Sequence, residues 1–283
     1  MTSTRSPKPA LLLLMLASAC ANNGPSDSQP DLCGYELAFA DEFDELSIAP
    51  RVLGGKRWTA HTPWNGDFGD AIFSNPEGPH NPFRIKDGEL RITASKDEEG
   101  KWRSGLVAAA DASGSGAGVK YGYFEARMQF PPGPGTWPAF WLISLKPVAD
   151  KRPKIELDVV EYYGHRTDRY HVTGHVWYAK PDQDKTWRKG SKIPIQDGSL
   201  VENFHTYGVL VEPDTITYYF DRNPVWQQPT PPEHETPLYP LVNLALGSGY
   251  SIESTPDPSI MKVDYVRVYR PTGSDGSFGC VEL

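Results

Sequence analysis

The stretch KIELDVVEYYG, residues 154–164, places Glu156, Asp158 and Glu161 within six positions of an otherwise apolar run. On a β-strand successive side chains alternate faces, so Glu156 and Asp158 share one face while Ile155, Leu157 and Val159 share the other. Glu161 lies an odd number of positions from Glu156 and would enter the core. A β-bulge at Val159–Val160 supplies the one extra residue that returns it to the acidic face. Like charges on one patch cost energy unless something uses them. Glycoside hydrolysis does: one carboxylate attacks the anomeric carbon and a second carboxyl group protonates the leaving oxygen. A third acid between them pushes the neighbouring pKa values apart. Read alone, the triad also fits a solvated strand face or a calcium site.

The segments around it read as strands. GELRITAS (88–95), YGYFEARMQF (121–130), RYHVTGHVWYA (169–179), FHTYGVLVE (204–212), TITYYFD (215–221) and MKVDYVRVYR (261–270) alternate with period two and are rich in β-branched and aromatic residues. PPGPG (131–135) is a turn. No stretch sustains a 3.6-residue period. The expectation is an all-β chain, a jelly-roll sandwich of two curved antiparallel sheets, forming a single domain over residues 33–283.

Residues 1–20 read as a signal peptide, with Arg5 and Lys8 ahead of a short apolar core. LASAC, ending at Cys20, resembles the lipidation box of bacterial lipoproteins, which points to a secreted or cell-surface, membrane-anchored protein. Residues 21–32 are small and polar and read as a flexible linker. Cys33 and Cys280 flank the folded part and are expected to form a disulfide. The net charge of -8 argues against a nucleic-acid partner. Membrane contact is expected only through the lipid anchor, and the protein is expected to be a monomer.

Aromatics cluster beside the acids. In GTWPAFWLIS (135–144), Trp137 and Trp141 lie four apart, on one strand face with Ala139 between them. His175 and Trp177 are two apart in TGHVWY (173–178). Aromatic rings stack on the apolar faces of sugars, though each of these side chains is also compatible with plain core packing. Trp64, Asn65 and Trp102 lie in segments compatible with lining a cleft and equally with a structural role, and Arg103 is the main base identified there.

With ELDVVE as the motif Glu-x-Asp-x-x-Glu, the chain resembles glycoside hydrolase family 16, the family of laminarinases, lichenases, agarases and carrageenases. SGLVAA (104–109), YGYFEARMQFP (121–131), GTWPAFWLI (135–143), FHTYGVLVEPDTITYYFD (204–221), PLYPLVNLALG (238–247) and MKVDYVRVYR (261–270) match in the family's order. The resemblance implies a substrate cleft across a concave sheet and a retaining double displacement. Glu156 would be the nucleophile, Glu161 the acid/base and Asp158 the assisting acid. It implies no cofactor for catalysis, but a structural calcium ion at the positions of Glu42, Gly88 and Asp264. TPWNGDFGDAIFSNP (62–76) departs from the laminarinase pattern and looks more like bacterial depolymerases of β-glucan-type exopolysaccharides. The expected activity is therefore endo-hydrolysis of a β-glucan or glucan-type exopolysaccharide. A transglycosylase would use the same residues, and product sizing separates the two. A carbohydrate-binding sandwich would not need ELDVVE.

Overall fold

In the computed structural model the described residues are 29–64, 66–272, 281 and 283. The signal segment, Cys20, Asn65 and Cys280 lie outside them. The strands run β1 (Tyr35–Asp41), β2 (Ile48–Ala49), β3 (Trp58–Thr59), β4 (Ile72–Phe73), β5 (Phe83–Lys86), β6 (Glu89–Lys96), β7 (Trp102–Ala108), β8 (Gly122–Gln129) and β9 (Thr136–Ser144). They continue as β10 (Lys154–Glu161), β11 (Arg169–Trp177), β12 (Trp187–Pro194), β13 (His205–Val211), β14 (Thr215–Phe220), β15 (Asn223–Pro229), β16 (Leu238–Leu246) and β17 (Ser259–Pro271). A single helical turn, α1 (Ser199–Glu202), precedes β13.

These strands build the two sheets of a jelly roll. One runs β12–β11–β10–β9–β16–β7–β3–β2, antiparallel except for the β2–β3 pair. The other runs β15–β14–β13–β8–β17, with β1 and β6 sharing the far edge of β17 and β5 outside β6. Ile155, Leu157 and Val159 of β10 lie in the core between the sheets, in one apolar cluster with Val209 and Val211 of β13 and Phe124 and Ala126 of β8. A second apolar cluster covers the other face of the first sheet, where Ala139, Trp141, Tyr239 and Leu241 pack with Trp64, Phe68 and Trp137. β16 is therefore buried at every position. A strand covered on both faces reads as an unbroken apolar run, as PLYPLVNLALG does.

Each expected strand is present. β12 has no period-two signature in WRKGSKIP, whose apolar residues Trp187, Ile193 and Pro194 sit only at its two ends: it is an edge strand, mostly exposed and rich in Lys and Arg. Three expectations need correction. Trp102 does not line a cleft; it is buried in the core between the sheets, with the Lys96 ammonium 5.3 Å from its ring. Its neighbour Arg103 bonds Asp97 at 2.8 Å rather than facing the acids. The linker expected over 21–32 ends early, because Pro30 is buried and Leu32 packs against Tyr123, Leu210 and Tyr269.

The residues expected to hold calcium do not fit it as they stand. Arg267 forks the Glu42 carboxylate at 2.8 Å through both oxygens, and Arg127 pairs with Asp264. Gly88 sits in the β5–β6 turn at φ 75°, where glycine meets no steric penalty. Both carboxylates a cation would use already have guanidinium partners.

The outer face of the second sheet carries a buried charge. Glu125 is fully buried and accepts hydrogen bonds from Tyr123 Oη and Tyr265 Oη at 2.8 Å each, and from Arg222 at 3.1 Å through two nitrogens. Removing one partner of such a pair strands the other. Glu125→Ala is expected to destabilise the fold by ~3 kcal/mol in urea unfolding, and a loss under ~1 kcal/mol would show the pair to be dispensable.

Candidate active site

The bulge sits where the acid spacing requires it. Along β9, Asp158 opposes Trp141 and Val160 opposes Phe140, leaving Val159 as the extra residue. Along β11, Asp158 opposes Thr173 and Glu161 opposes His171, so Val159 and Val160 together face Val172. Both valines stay in the core. Glu156, Asp158 and Glu161 consequently project from one face, beside His175, Thr173 and His171 of β11 and Ile143, Trp141 and Ala139 of β9. All three acids line one cavity of ≈ 320 Å³.

Each acid has its own donors. His175 Nε2 lies 3.0 Å from Asp158 Oδ2 and 4.0 Å from Glu156 Oε1. The Trp177 ring stacks on His175 at 5.0 Å and 8°, bracing the imidazole that faces Asp158 and Glu156. Trp137 Nε1–H donates to Glu161 Oε1 at 3.1 Å, and Tyr163 Oη–H donates to the same oxygen at 3.2 Å. These two bonds fix the Glu161 carboxyl group. Among the described residues, Glu156, Asp158 and His175 are the one group of His, Cys, Asp and Glu whose ligand atoms converge, within 4.8 Å.

Burial dominates the electrostatics. It pushes Glu156 up to about 8, assisted by the Asp158 charge. It drives Asp158 well above the usual carboxylate range, with the Glu161 charge adding to it. Glu161 is raised by the same burial, against the opposing pull of its Trp137 and Tyr163 donors. Burial also lowers His175, favouring its neutral form. The cluster thus retains protons near neutral pH, one of them between His175 Nε2 and Asp158 Oδ2. A site that keeps one carboxyl group protonated beside another that can ionise is equipped for acid and nucleophile roles at once.

The walls are aromatic. Trp137 and Trp141 do share one face, but Trp141 is 5% exposed and its Nε1–H bonds Asn243 Oδ1 at 2.8 Å, so it forms the floor rather than an open platform. Phe68 meets Trp137 at 5.3 Å and Trp141 at 5.9 Å, both edge-on. Trp64 meets Trp141 edge-on at 6.2 Å. The loop carrying Trp64 and Phe68 is fastened by buried His61, which bonds Asp67 at 2.8 Å and Asn75 at 3.1 Å. An adjoining cavity of ≈ 400 Å³ shares Trp64 and Glu156 with the first and brings in Trp177 and Lys154. Sequence reasoning missed Phe68, Tyr163, Lys154 and Arg188. Tyr163 had a usable signal, lying two residues beyond Glu161; Phe68 sits on an irregular loop, where no period applies.

Residues 36–271 match the family model for the GH16 domain of β-porphyranases A–D. Endo-1,3-1,4-β-glycanase ExsH of Rhizobium meliloti is 33% identical over 256 residues, covering 82% of this chain and 51% of that protein. EglC of the same organism, bearing the same enzyme name, is 31% identical with the same coverage. The chain thus spans about half the length of these relatives. The laminarinase structure from Rhodothermus marinus superposes with a TM-score of 0.64 at 24% identity, covering 86% of this chain and 100% of that one, which is a likeness of fold. With the family model spanning nearly all the strands and the motif acids gathered on one sheet face, the chain belongs to glycoside hydrolase family 16.

Proposed function

We propose that this chain is a retaining endo-β-glycanase that hydrolyses internal bonds of a β-glucan or glucan-type exopolysaccharide. The observation that carries the reading is the bulge-aligned row Glu156–Asp158–Glu161 inside an aromatic-walled cavity. In the first step a Glu156 carboxylate oxygen attacks the anomeric carbon, the glycosidic C–O bond breaks, and the Glu161 carboxyl proton passes to the departing oxygen. In the second step the Glu161 carboxylate takes a proton from water, whose oxygen displaces Glu156 from the same carbon. Burial and the His175 contact at 3.0 Å favour a protonated Asp158, and protonation removes the Asp158 charge that otherwise holds the Glu156 pKa up. Trp137 and Tyr163 fix the Glu161 carboxyl group in both steps. Apart from the sugar and the attacking water, the groups in this scheme are side chains of the protein, so the proposed reaction calls on no cofactor. The aromatic walls suit a neutral sugar backbone; the printed names of the two Rhizobium relatives, endo-1,3-1,4-β-glycanases, support a β-linked polymer, and a 27% identical β-glucanase of Rhodothermus marinus supports a β-glucan.

The reading extends to location. Cys20 is proposed as the lipidated residue of a secreted, membrane-anchored, monomeric protein. Cys33 is disulfide-bonded, which supports a bridge to Cys280 and an oxidising compartment. Cys20→Ser should move the protein from the membrane fraction to the soluble fraction; wild-type protein already soluble after secretion would contradict the anchor.

Two carboxylate variants test the chemistry. Glu156→Gln is expected to lose turnover by at least ~10⁴-fold, as removal of an activated nucleophile does. Glu161→Ala should be slowed least on aryl glycosides, whose leaving groups need little protonation. Near-wild-type hydrolysis by Glu156→Gln would overturn the assignment. Stability gives a second readout. A carboxyl group whose folded pKa is raised, here to about 8, loses stabilisation as pH climbs from its unfolded pKa through the folded one. Glu156→Gln should therefore gain thermal stability over wild type at the alkaline end of that window, with the gap closing as pH falls to the acidic end.

A further inference from the structure

The net charge is -8, yet four cations gather where the cleft continues past the nucleophile. Lys146, Lys151, Arg152 and Lys154 line the ≈ 400 Å³ cavity there, together with Trp64 and Trp177. Two of the four already have partners. Lys146 donates to the carbonyl oxygens of Arg152 and Pro153 and lies 3.6 Å from Asp150. Arg152 pairs with Asp150 at 2.7 Å and reaches Glu235 at 3.3 Å. Among the described residues, no carboxylate forms an ion pair with Lys151 or Lys154.

Lys154 is the better placed of the remaining two. It precedes Glu156 by two positions on β10 and so faces the same side, directly opposite Trp177 in register. Its ammonium lies 5.0 Å from the Trp64 ring, which orients it in the cavity wall by a cation–π contact. The other acids that line this cavity are engaged elsewhere. Asp111 accepts from Leu53 N–H, from Ser113 N–H and from Ser113 Oγ–H, and Asp150 holds Arg152. Glu156 alone faces Lys154, and the proposed reaction converts Glu156 to a neutral glycosyl ester. At that stage Lys154 keeps a half-buried positive charge with no anion beside it, a costly state unless the substrate supplies one. Burial holds the Lys154 ammonium below its usual pKa, against the opposing pull of the Glu156 charge.

We propose that Lys154, with Lys151 at the rim, forms an anion subsite that recognises a carboxylate or sulfate group carried by the sugar chain next to the residue attacked by Glu156. The inference rests on the glycanase reading and adds to it the charge of the preferred substrate. Lysine presents a compact point charge without the planar fork of arginine, so either anion suits it.

The test compares wild type, Lys154→Met, which keeps the apolar stem, and Lys154→Arg, which keeps the charge. Each acts on one β-glucan prepared neutral, lightly carboxymethylated and lightly sulfated. Wild type should favour an anionic form by roughly tenfold in kcat/KM, mainly through KM, and added salt should erode the preference. Lys154→Met should abolish it and Lys154→Arg restore most of it. Preference for the carboxymethylated over the sulfated polymer, or the reverse, identifies the anion. No preference in wild type would overturn the subsite. So would an equal fall in kcat on all three polymers with a shifted acid limb in Lys154→Met, which would make Lys154 merely the counter-ion of Glu156. Affinity electrophoresis through gels holding each polymer reads binding without turnover. Retardation of wild type by an anionic polymer, lost in Lys154→Met, supports the subsite even if none of the polymers is cleaved; equal retardation of the two overturns it.

Discussion

One extra residue in one strand governs the site. The strand period is two, and the motif acids are spaced so that an unbroken β10 would send Glu161 into the core between the sheets. There its carboxyl group would displace an apolar partner and find no donor. The bulge at Val159–Val160 keeps both valines buried against the core and turns Glu161 back beside Asp158. The neighbouring strands β9 and β11 remain regular at these positions, so the donors they carry keep their places.

From that geometry the electrostatics follow. Three carboxyl groups share a low-dielectric wall, and burial outweighs the donors that reach them. The cluster responds by retaining protons. His175 and Asp158 share one, while Glu161 is clamped by two side-chain donors that fix its direction. The aromatic floor beneath has Trp141 locked to Asn243 and Phe68 edge-on against it.

What was legible in the sequence is what a fixed period encodes. Facing along β10 and β11 follows from alternation, and the bulge follows from the parity of Glu161 within ELDVVE. Trp102 misled because β7 changes partners along its length: it pairs with β6 at Trp102 and with β16 from Gly105 onward. With that exchange the faces swap, so Trp102 packs in the inter-sheet core while Leu106 and Ala108, also at even positions, lie on the cleft side. β12 escaped notice because an exposed edge strand needs no apolar alternation. Phe68 and Trp64 reach the cleft from a loop whose path is set by His61 and its partners, which are visible only in three dimensions. Leu32 was hidden by its polar surroundings in sequence, although Tyr123 and Tyr269 offered it a docking surface. Lys154 was overlooked because its significance depends on which of its neighbours already have partners.

The central claim is that the bulge brings Glu156 and Glu161 into the close relation a double displacement needs, about 5–5.5 Å between carboxyl groups rather than the wider gap that admits a water. Proton NMR of the anomeric signals during the first minutes of polymer cleavage tests it most directly. The expected result is β-configured new reducing ends that mutarotate later to the equilibrium mixture. First-formed α-anomers would show inversion and contradict the account.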